Sequence, residues 1–156
     1  MKVSVTEIIS APVANVFEVM SDIPSAAERV SGIVQLEVLG DIRSGKGVRW
    51  RETRVMFGKE ATEVMEITEF SPPNHYRVEA QSHGMKYVSE WRFRDIDGAR
   101  TEVSMVFTGT PLTLAAKLMT PLALLFQGAT RKALHQDVLD CKRHIETAEP
   151  RSAGSR

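Results

Sequence analysis

The sequence predicts an α+β fold in which about seven antiparallel strands form a curved sheet around a long C-terminal helix. Three observations indicate this fold. One strand and two short helices come first, a run of strands with short turns follows, and one long apolar helix comes last. Short connections join antiparallel neighbours, so the strands should form a meander. A sheet that wraps a helix without closing leaves a cavity, and such cavities hold small apolar ligands.

The first elements follow from a change of hydrophobic period. Residues 3–8 alternate between apolar and polar, as in a half-buried strand, and Pro12 suits the first turn of a helix. Residues 13–20 place apolar side chains three and four positions apart, which predicts a helix. Ser25 and Glu28 have the spacing of a capping box, so a second short helix should follow.

After these helices the period becomes two, which is the period of a strand. The strand-like runs are 33–39, 47–57, 60–70, 75–82, 85–94 and 100–108. Gly, Pro, Asn and Asp lie between them and mark turns. A tight two-residue turn at Gly58-Lys59 should join the second and third of these runs.

A long helix should cover residues 112–147. Pro121 should kink it, and Gly128 should loosen the next turn. Its first half carries an apolar stripe made of Leu114, Leu118, Leu122, Leu125 and Ala129. We expect residues 1–147 to form a single domain and residues 148–156, rich in Pro, Gly, Ser and charge, to be a disordered tail.

Composition excludes several function classes. Twenty basic residues balance twenty acidic ones and neither sign forms a run, so we expect no nucleic-acid partner. The single cysteine, Cys141, should be a buried thiol in a reducing compartment, and the polar start does not match a signal peptide, so we expect a cytoplasmic protein. Residues 111–126 are too short and too interrupted for a transmembrane segment. The histidines lack metal-ligand spacing, so we expect no metal and no cofactor.

One segment resembles a known family. Residues 9–17, Ile-Ser-Ala-Pro-Val-Ala-Asn-Val-Phe, followed by Ser21-Asp22, resemble the opening of the START-like superfamily, in its polyketide cyclase/dehydrase-like branch. The resemblance implies the helix-grip fold over roughly residues 1–146. Members include lipid carriers, hormone receptors, cyclases and chaperone activators, with no catalytic residue in common, so no catalytic residue is assigned here. Many relatives have a Trp near the end of the second helix, where this chain has Arg29-Val30-Ser31.

Strand parity predicts which side chains face the helix, because alternate residues point to opposite faces of a sheet. In residues 85–94, one face carries Tyr87, Ser89 and Trp91, and the other carries mainly charged side chains. Met105 and Phe107 do the same on the next strand. These side chains either form ordinary core packing or line a ligand cavity.

The strand at 47–57 has a mixed face. Trp50 and Met56 share it with Glu52 and Arg54. The predicted turn would place Arg54 opposite Glu63 and Glu52 opposite Met65. If this face points inward, the three ionisable groups Glu52, Arg54 and Glu63 should be bonded to one another, because an unpaired charge inside a cavity is costly. The alternative is an outward face with an ordinary surface pair.

The leading interpretation is a binding module for a small, mostly apolar ligand of lipid or polyketide type. One alternative is a polyketide cyclase or dehydratase that uses the same cavity, and another is a protein-interaction or chaperone-activator-like module. The candidate cavity residues are Trp50, Glu52, Arg54, Met56, Glu63, Met65, Tyr87, Ser89, Trp91, Met105, Phe107, Leu118, Leu122 and Leu125.

Overall fold

The computed structural model describes residues 1–148. The predicted disordered tail therefore lies, apart from Ala148, outside the described residues. The strands are β1 (Lys2–Ile9), β2 (Ile33–Leu39), β3 (Arg49–Met56), β4 (Lys59–Ser71), β5 (His75–Ser82), β6 (Met85–Asp95) and β7 (Thr101–Pro111). The helices are α1 (Val13–Met20), α2 (Ala26–Arg29), α3 (Leu114–Leu118), α4 (Thr120–Leu125) and α5 (Gln127–Thr147).

All seven strands form one antiparallel sheet in the order β1-β7-β6-β5-β4-β3-β2. Strands β2 to β7 are the predicted meander, and β1 adds to the far edge beside β7. Register shifts in β2 and β4 mark bulges, which bend a strand and strengthen its twist. The predicted fold class, a seven-stranded sheet with two short helices after the first strand, is confirmed.

Packing closes one end of the structure. Phe17 of α1 contacts three aromatic rings of the sheet, those of Phe70, Tyr76 and Phe93, at centroid distances of 5.3, 5.9 and 5.2 Å. At the β1 edge, Val138 of α5 is 1% exposed and packs against strand β1. The terminal helix is therefore anchored along β1, while its other side faces the concave surface of the sheet.

The β3–β4 turn differs from the prediction. It consists of Phe57 and Gly58, with φ angles of 52° and 77°, and not of Gly58 and Lys59. Two consecutive positive φ values are typical of the type I′ turn that suits a two-residue hairpin. The register therefore moves by two residues, and Arg54 pairs with Ala61 while Glu52 pairs with Glu63.

The C-terminal helix is also different from the prediction. The chain does not form one kinked helix from residue 112 but three successive helices, with breaks at Met119 and Phe126. Pro121 lies in the first turn of α4, where a missing N–H is tolerated. Among residues 1–148, no helix is both long and apolar enough to cross a membrane.

We expect Thr101→Val to destabilise the protein by about 1–3 kcal/mol, the cost of a buried acceptor that loses its donor. Thr101 is 0% exposed, and its hydroxyl donates to the carbonyl of Ala11 at 2.8 Å, which fixes the chain between β1 and α1. Valine has nearly the same shape. Urea unfolding would measure the loss, with Thr6→Val on the exposed face as the control. Equal, small losses would contradict the prediction.

Candidate functional site

A cavity of about 390 Å³ lies between the concave face of the sheet and α5. This is within the range of small-molecule sites, roughly 300–1,000 Å³. Side chains of β3 to β7, α1, α2 and α5 form its wall. Most of them are apolar, and the aromatic ones are Trp50, Phe57, Tyr76, Tyr87, Trp91 and Phe107.

The structure places most of the predicted site residues on this wall. They are Trp50, Glu52, Arg54, Met56, Glu63, Met65, Tyr87, Ser89, Trp91, Met105 and Phe107. The mixed face of β3 points inward, since Trp50 and Glu52 are 3% and 6% exposed while the neighbouring Arg51 is exposed. The alternative of an outward surface pair is therefore excluded.

Three predicted site residues are not on the wall. Leu118, Leu122 and Leu125 are 73%, 46% and 78% exposed. The stripe they were expected to form requires one continuous helix, whereas the breaks at Met119 and Phe126 divide these residues between α3 and α4. Neither of these helices contains a buried residue. The prediction for these leucines was wrong.

A bonded network of charges lies in the wall. Arg54 donates from Nε to Glu52 at 2.9 Å and from a terminal nitrogen to Asp137 of α5 at 2.8 Å. The indole N–H of Trp50 donates to the other oxygen of Glu52 at 3.0 Å. The side chains of Arg54 and Asp137 are each 17% exposed. The network therefore links β3 to α5 across the cavity.

Asp137 takes the place that the sequence interpretation gave to Glu63. Glu63 faces the cavity opposite Glu52, but among residues 1–148 it forms no ion pair with Arg54. Burial raises the pKa of Asp137, and the positive charge of Arg54 opposes that rise. A signal for Asp137 was present in the sequence, since it precedes Cys141 by four residues and so shares its helix face.

A second polar group on the wall surrounds Arg29, which the sequence interpretation did not include. Arg29 is 8% exposed, and one terminal nitrogen donates to the carbonyls of Met20 at 3.1 Å and Asp22 at 3.0 Å. The hydroxyl of Tyr76 donates to the same Met20 carbonyl at 3.2 Å. Burial raises the pKa of the Cys141 thiol to about 11, and the charge of Arg29 opposes the rise. Burial also raises the pKa of Tyr76.

On the outer face, the structure brings together Glu69, His75 and Glu90, whose ligand atoms lie within 4.8 Å of one another. Sequence spacing missed this group because its members come from three neighbouring strands. The guanidinium of Arg77 pairs with both carboxylates, at 3.2 and 3.0 Å. The arrangement is therefore a cross-strand ion-pair ladder that already contains its own cation.

The sequence matches a family described as polyketide cyclase / dehydrase and lipid transport, over residues 1–143. The chain belongs to this family. The match includes every strand of the sheet and extends along α5 through Asp137 and Cys141. No curated protein matches the sequence significantly.

Solved structures share this fold. A protein from Thermus thermophilus is 20% identical, with 96% of this chain and 100% of that chain covered and a TM-score of 0.77. The aromatase/cyclase Zhui from Streptomyces sp. R1128 is 16% identical, with 99% of each chain covered and a TM-score of 0.78. A START superfamily protein from Mycobacterium smegmatis is 13% identical, with 93% and 97% covered and a TM-score of 0.73. At these identities the likeness shows a shared START-like fold alone.

Proposed function

We propose that the protein binds a small, mostly apolar molecule in the cavity between the sheet and α5. The observation that supports this most strongly is the cavity itself, about 390 Å³ in volume and lined mainly by apolar and aromatic side chains. The polyketide cyclase / dehydrase and lipid transport family is consistent with such a ligand. Flat aromatic walls favour ligands with rings or conjugated chains, since offset stacking adds to apolar burial.

The Glu52–Arg54–Asp137 network supplies a polar patch to this cavity. Because Arg54 is bonded to two acidic side chains, its single positive charge is fully offset before a ligand binds. We therefore assign the network to orienting a hydroxyl or carbonyl group of the ligand, and not to neutralising an acid.

The proposal treats residues 1–147 as a single START-like domain that acts in the cytoplasm. Cys141 is the only cysteine, and it is buried, which suits a reducing compartment. The balanced total of acidic and basic residues gives no electrostatic reason for a nucleic-acid partner.

Filling part of the cavity should weaken ligand binding. Ala80 of β5 lies on the cavity wall, and its neighbour Gln81 is exposed on the opposite face. We expect Ala80→Phe to weaken binding of the neutral fluorescent probe N-phenyl-1-naphthylamine by roughly tenfold or more, because the new ring occupies ligand space. Gln81→Phe adds the same ring outside and should leave binding unchanged. Fluorescence titration measures both.

Two outcomes of this titration would contradict the proposal. The wild type could fail to enhance the fluorescence of the probe even at probe concentrations high enough to saturate an apolar binding site. Alternatively, both phenylalanine variants could bind like the wild type, which would place the probe elsewhere on the surface. Thermal unfolding of each variant shows whether a loss of binding reflects a loss of fold.

A second candidate function is an acid–base enzyme acting on a carbonyl-bearing apolar substrate. The observation that favours it is Asp137, a wall carboxyl whose pKa is raised by burial. Such a group suits proton transfer near neutral pH better than an ordinary carboxyl does. Native mass spectrometry of freshly purified wild type and Asp137→Asn would separate the two functions. If the protein only binds its ligand, the same molecule should be found with the wild type and the variant. If it is an enzyme, product should be found with the wild type and substrate with the variant.

A further inference from the structure

Arg29 is a buried cation on the cavity wall whose hydrogen-bonding capacity is incompletely used. It stands at the end of α2 and is 8% exposed. One terminal nitrogen donates to the backbone carbonyls of Met20 and Asp22. Its Nε is buried and, within residues 1–148, has no hydrogen-bond partner. The backbone acceptors and the neighbouring Cys141 thiol therefore leave the guanidinium incompletely bonded, and because its Nε is inaccessible, a ligand in the cavity would contact the terminal nitrogens.

No carboxylate in residues 1–148 lies within 4.0 Å of the Arg29 guanidinium, so its charge has no paired anion. The bonded carbonyls belong to the end of α1 and the turn after it. A helix C-terminus supplies about half a negative charge, which is less than the full charge of Arg29. Buried charges are normally paired, and an unpaired one is costly.

The other polar neighbours of Arg29 do not supply the missing anion. Tyr76 and Cys141 both line the cavity beside it. Burial raises the pKa of Tyr76 and raises that of Cys141 to about 11. Both groups therefore keep their protons at neutral pH, and neither a phenolate nor a thiolate neutralises the guanidinium.

The second arginine on the wall provides a contrast. Arg54 is bonded to both Glu52 and Asp137, so its positive charge is fully offset within the protein. Both arginines contact the same cavity, but only Arg29 lacks an acidic partner among the described residues. Of these two arginines, Arg29 is therefore the one whose positive charge an anion from outside could pair with.

We propose that Arg29 binds the acidic group of the ligand, and that the ligand class is an apolar, ring-containing carboxylic acid. This rests on the proposed function, since it requires a ligand in the cavity. The planar guanidinium suits a carboxylate, and Tyr76 lies beside it. The apolar part of the ligand would lie against Trp50, Val78 and Trp91.

The arrangement of charges also gives the ligand a direction. Tyr76 pairs with Phe70 on β4, and Glu63 faces the cavity seven residues away along the same strand. Seven residues at about 3.3 Å each span at most about 23 Å, and the bulge in this part of β4 shortens that distance somewhat. An acid with its carboxylate at Arg29 thus keeps it away from Glu63, whereas the reversed orientation would place like charges together.

Two matched probes test the proposal, 2-naphthoate and 2-naphthamide, which share one ring system and differ in charge. We expect the wild type to bind the carboxylate at least about tenfold more tightly at neutral pH, the scale of a charge-assisted hydrogen bond. Arg29→Met and Arg29→Gln should lose this preference while binding the amide within about threefold of the wild type. Arg29→Lys, which keeps the charge but not the fork, should keep part of it. Isothermal titration calorimetry measures all four proteins.

Arg92→Met is the control for net charge, because Arg92 is exposed on the outer face of β6. It should retain the full preference for the carboxylate. The proposal is overturned if Arg29→Gln retains that preference, since Arg29 would then only hold the end of α1. It is equally overturned if the wild type binds the amide as tightly as the acid, a comparison that needs no variant to fold.

The outcomes also separate this inference from the proposed function. If the wild type binds 2-naphthamide and N-phenyl-1-naphthylamine but shows no preference for the acid, the proposed binding function is supported and the Arg29 assignment is wrong. If none of the three probes binds, both the proposed binding function and the Arg29 assignment are wrong. If the carboxylate is preferred and Arg29 variants lose the preference, both are supported.

Discussion

Arg54→Met should destabilise the protein by about 3–5 kcal/mol, the range measured when one partner of a buried ion pair is removed. The substitution keeps most of the side-chain volume but leaves Glu52, which is 6% exposed, and Asp137 without their shared cation. Two carboxylates in a low-dielectric wall then repel each other and lose the donors that Arg54 supplied, although Glu52 keeps the bond from the Trp50 indole. Urea unfolding at neutral pH would measure the loss.

Two comparisons show whether the loss comes from the unpaired carboxylates. Arg51→Met on the outer face of β3 removes an exposed pair with Glu37 and should cost less than about 1 kcal/mol. Adding Glu52→Gln and Asp137→Asn to Arg54→Met should recover most of the lost stability, because no buried charge then remains. A triple variant as unstable as Arg54→Met would attribute the loss to packing.

The stability lost in Arg54→Met should depend on pH. Burial raises the pKa of Asp137 even with Arg54 present, and removing the guanidinium removes the largest opposing effect. A carboxyl with a raised folded-state pKa is most favourable for folding below its unfolded pKa of about 3.9, and it loses that advantage as pH rises through the folded value. The gap between the wild type and Arg54→Met should therefore be smaller near pH 4 than at pH 7.

Strand parity predicted the faces of the cavity correctly but could not predict its polar partners. Parity depends only on which residues alternate, and a large apolar pair such as Trp50 and Met56 points the face of β3 inward. The β3–β4 turn uses a positive φ at Phe57, which a bulky residue rarely adopts. Moving the turn by one residue kept every face and changed every cross-strand partner, so Arg54 was assigned to Glu63 wrongly.

The groups that the sequence did not bring together depend on tertiary packing. Arg54 and Asp137 are 83 residues apart, and their contact depends on how α5 crosses the sheet. Arg29 bonds to backbone carbonyls, which no side-chain pattern reveals. The exposed leucines of α3 and α4 show that side-chain spacing can also predict a buried face that the structure does not form. Their spacing fits an amphipathic helix, but the breaks in the helix remove the continuous face that spacing assumes.

Amides of α4 should exchange with solvent at least about 100-fold faster than those of α5 between residues 134 and 141. Helices as short as α3 and α4 are marginal alone, and neither contains a buried side chain. In contrast, α5 is anchored by Val138, Cys141 and Ile145, which are 1–6% exposed. Local opening of α4 should therefore need far less free energy than opening of α5. Hydrogen exchange followed by mass spectrometry or NMR would measure the ratio.

This difference bears on how a ligand reaches the cavity. The ring of Phe126, at the end of α4, lies 5.5 Å from that of Phe57, which is on the cavity wall. Opening of α4 would separate these rings and widen the entrance to the cavity beside Phe57. We therefore expect Phe126→Ala to increase the association rate of N-phenyl-1-naphthylamine severalfold. Phe57→Ala should increase the same rate. Stopped-flow fluorescence measures this rate. Equal protection of α4 and α5, together with unchanged association rates in both variants, would show that ligands reach the cavity by another route, because the Phe57–Phe126 contact would then control neither stability nor access.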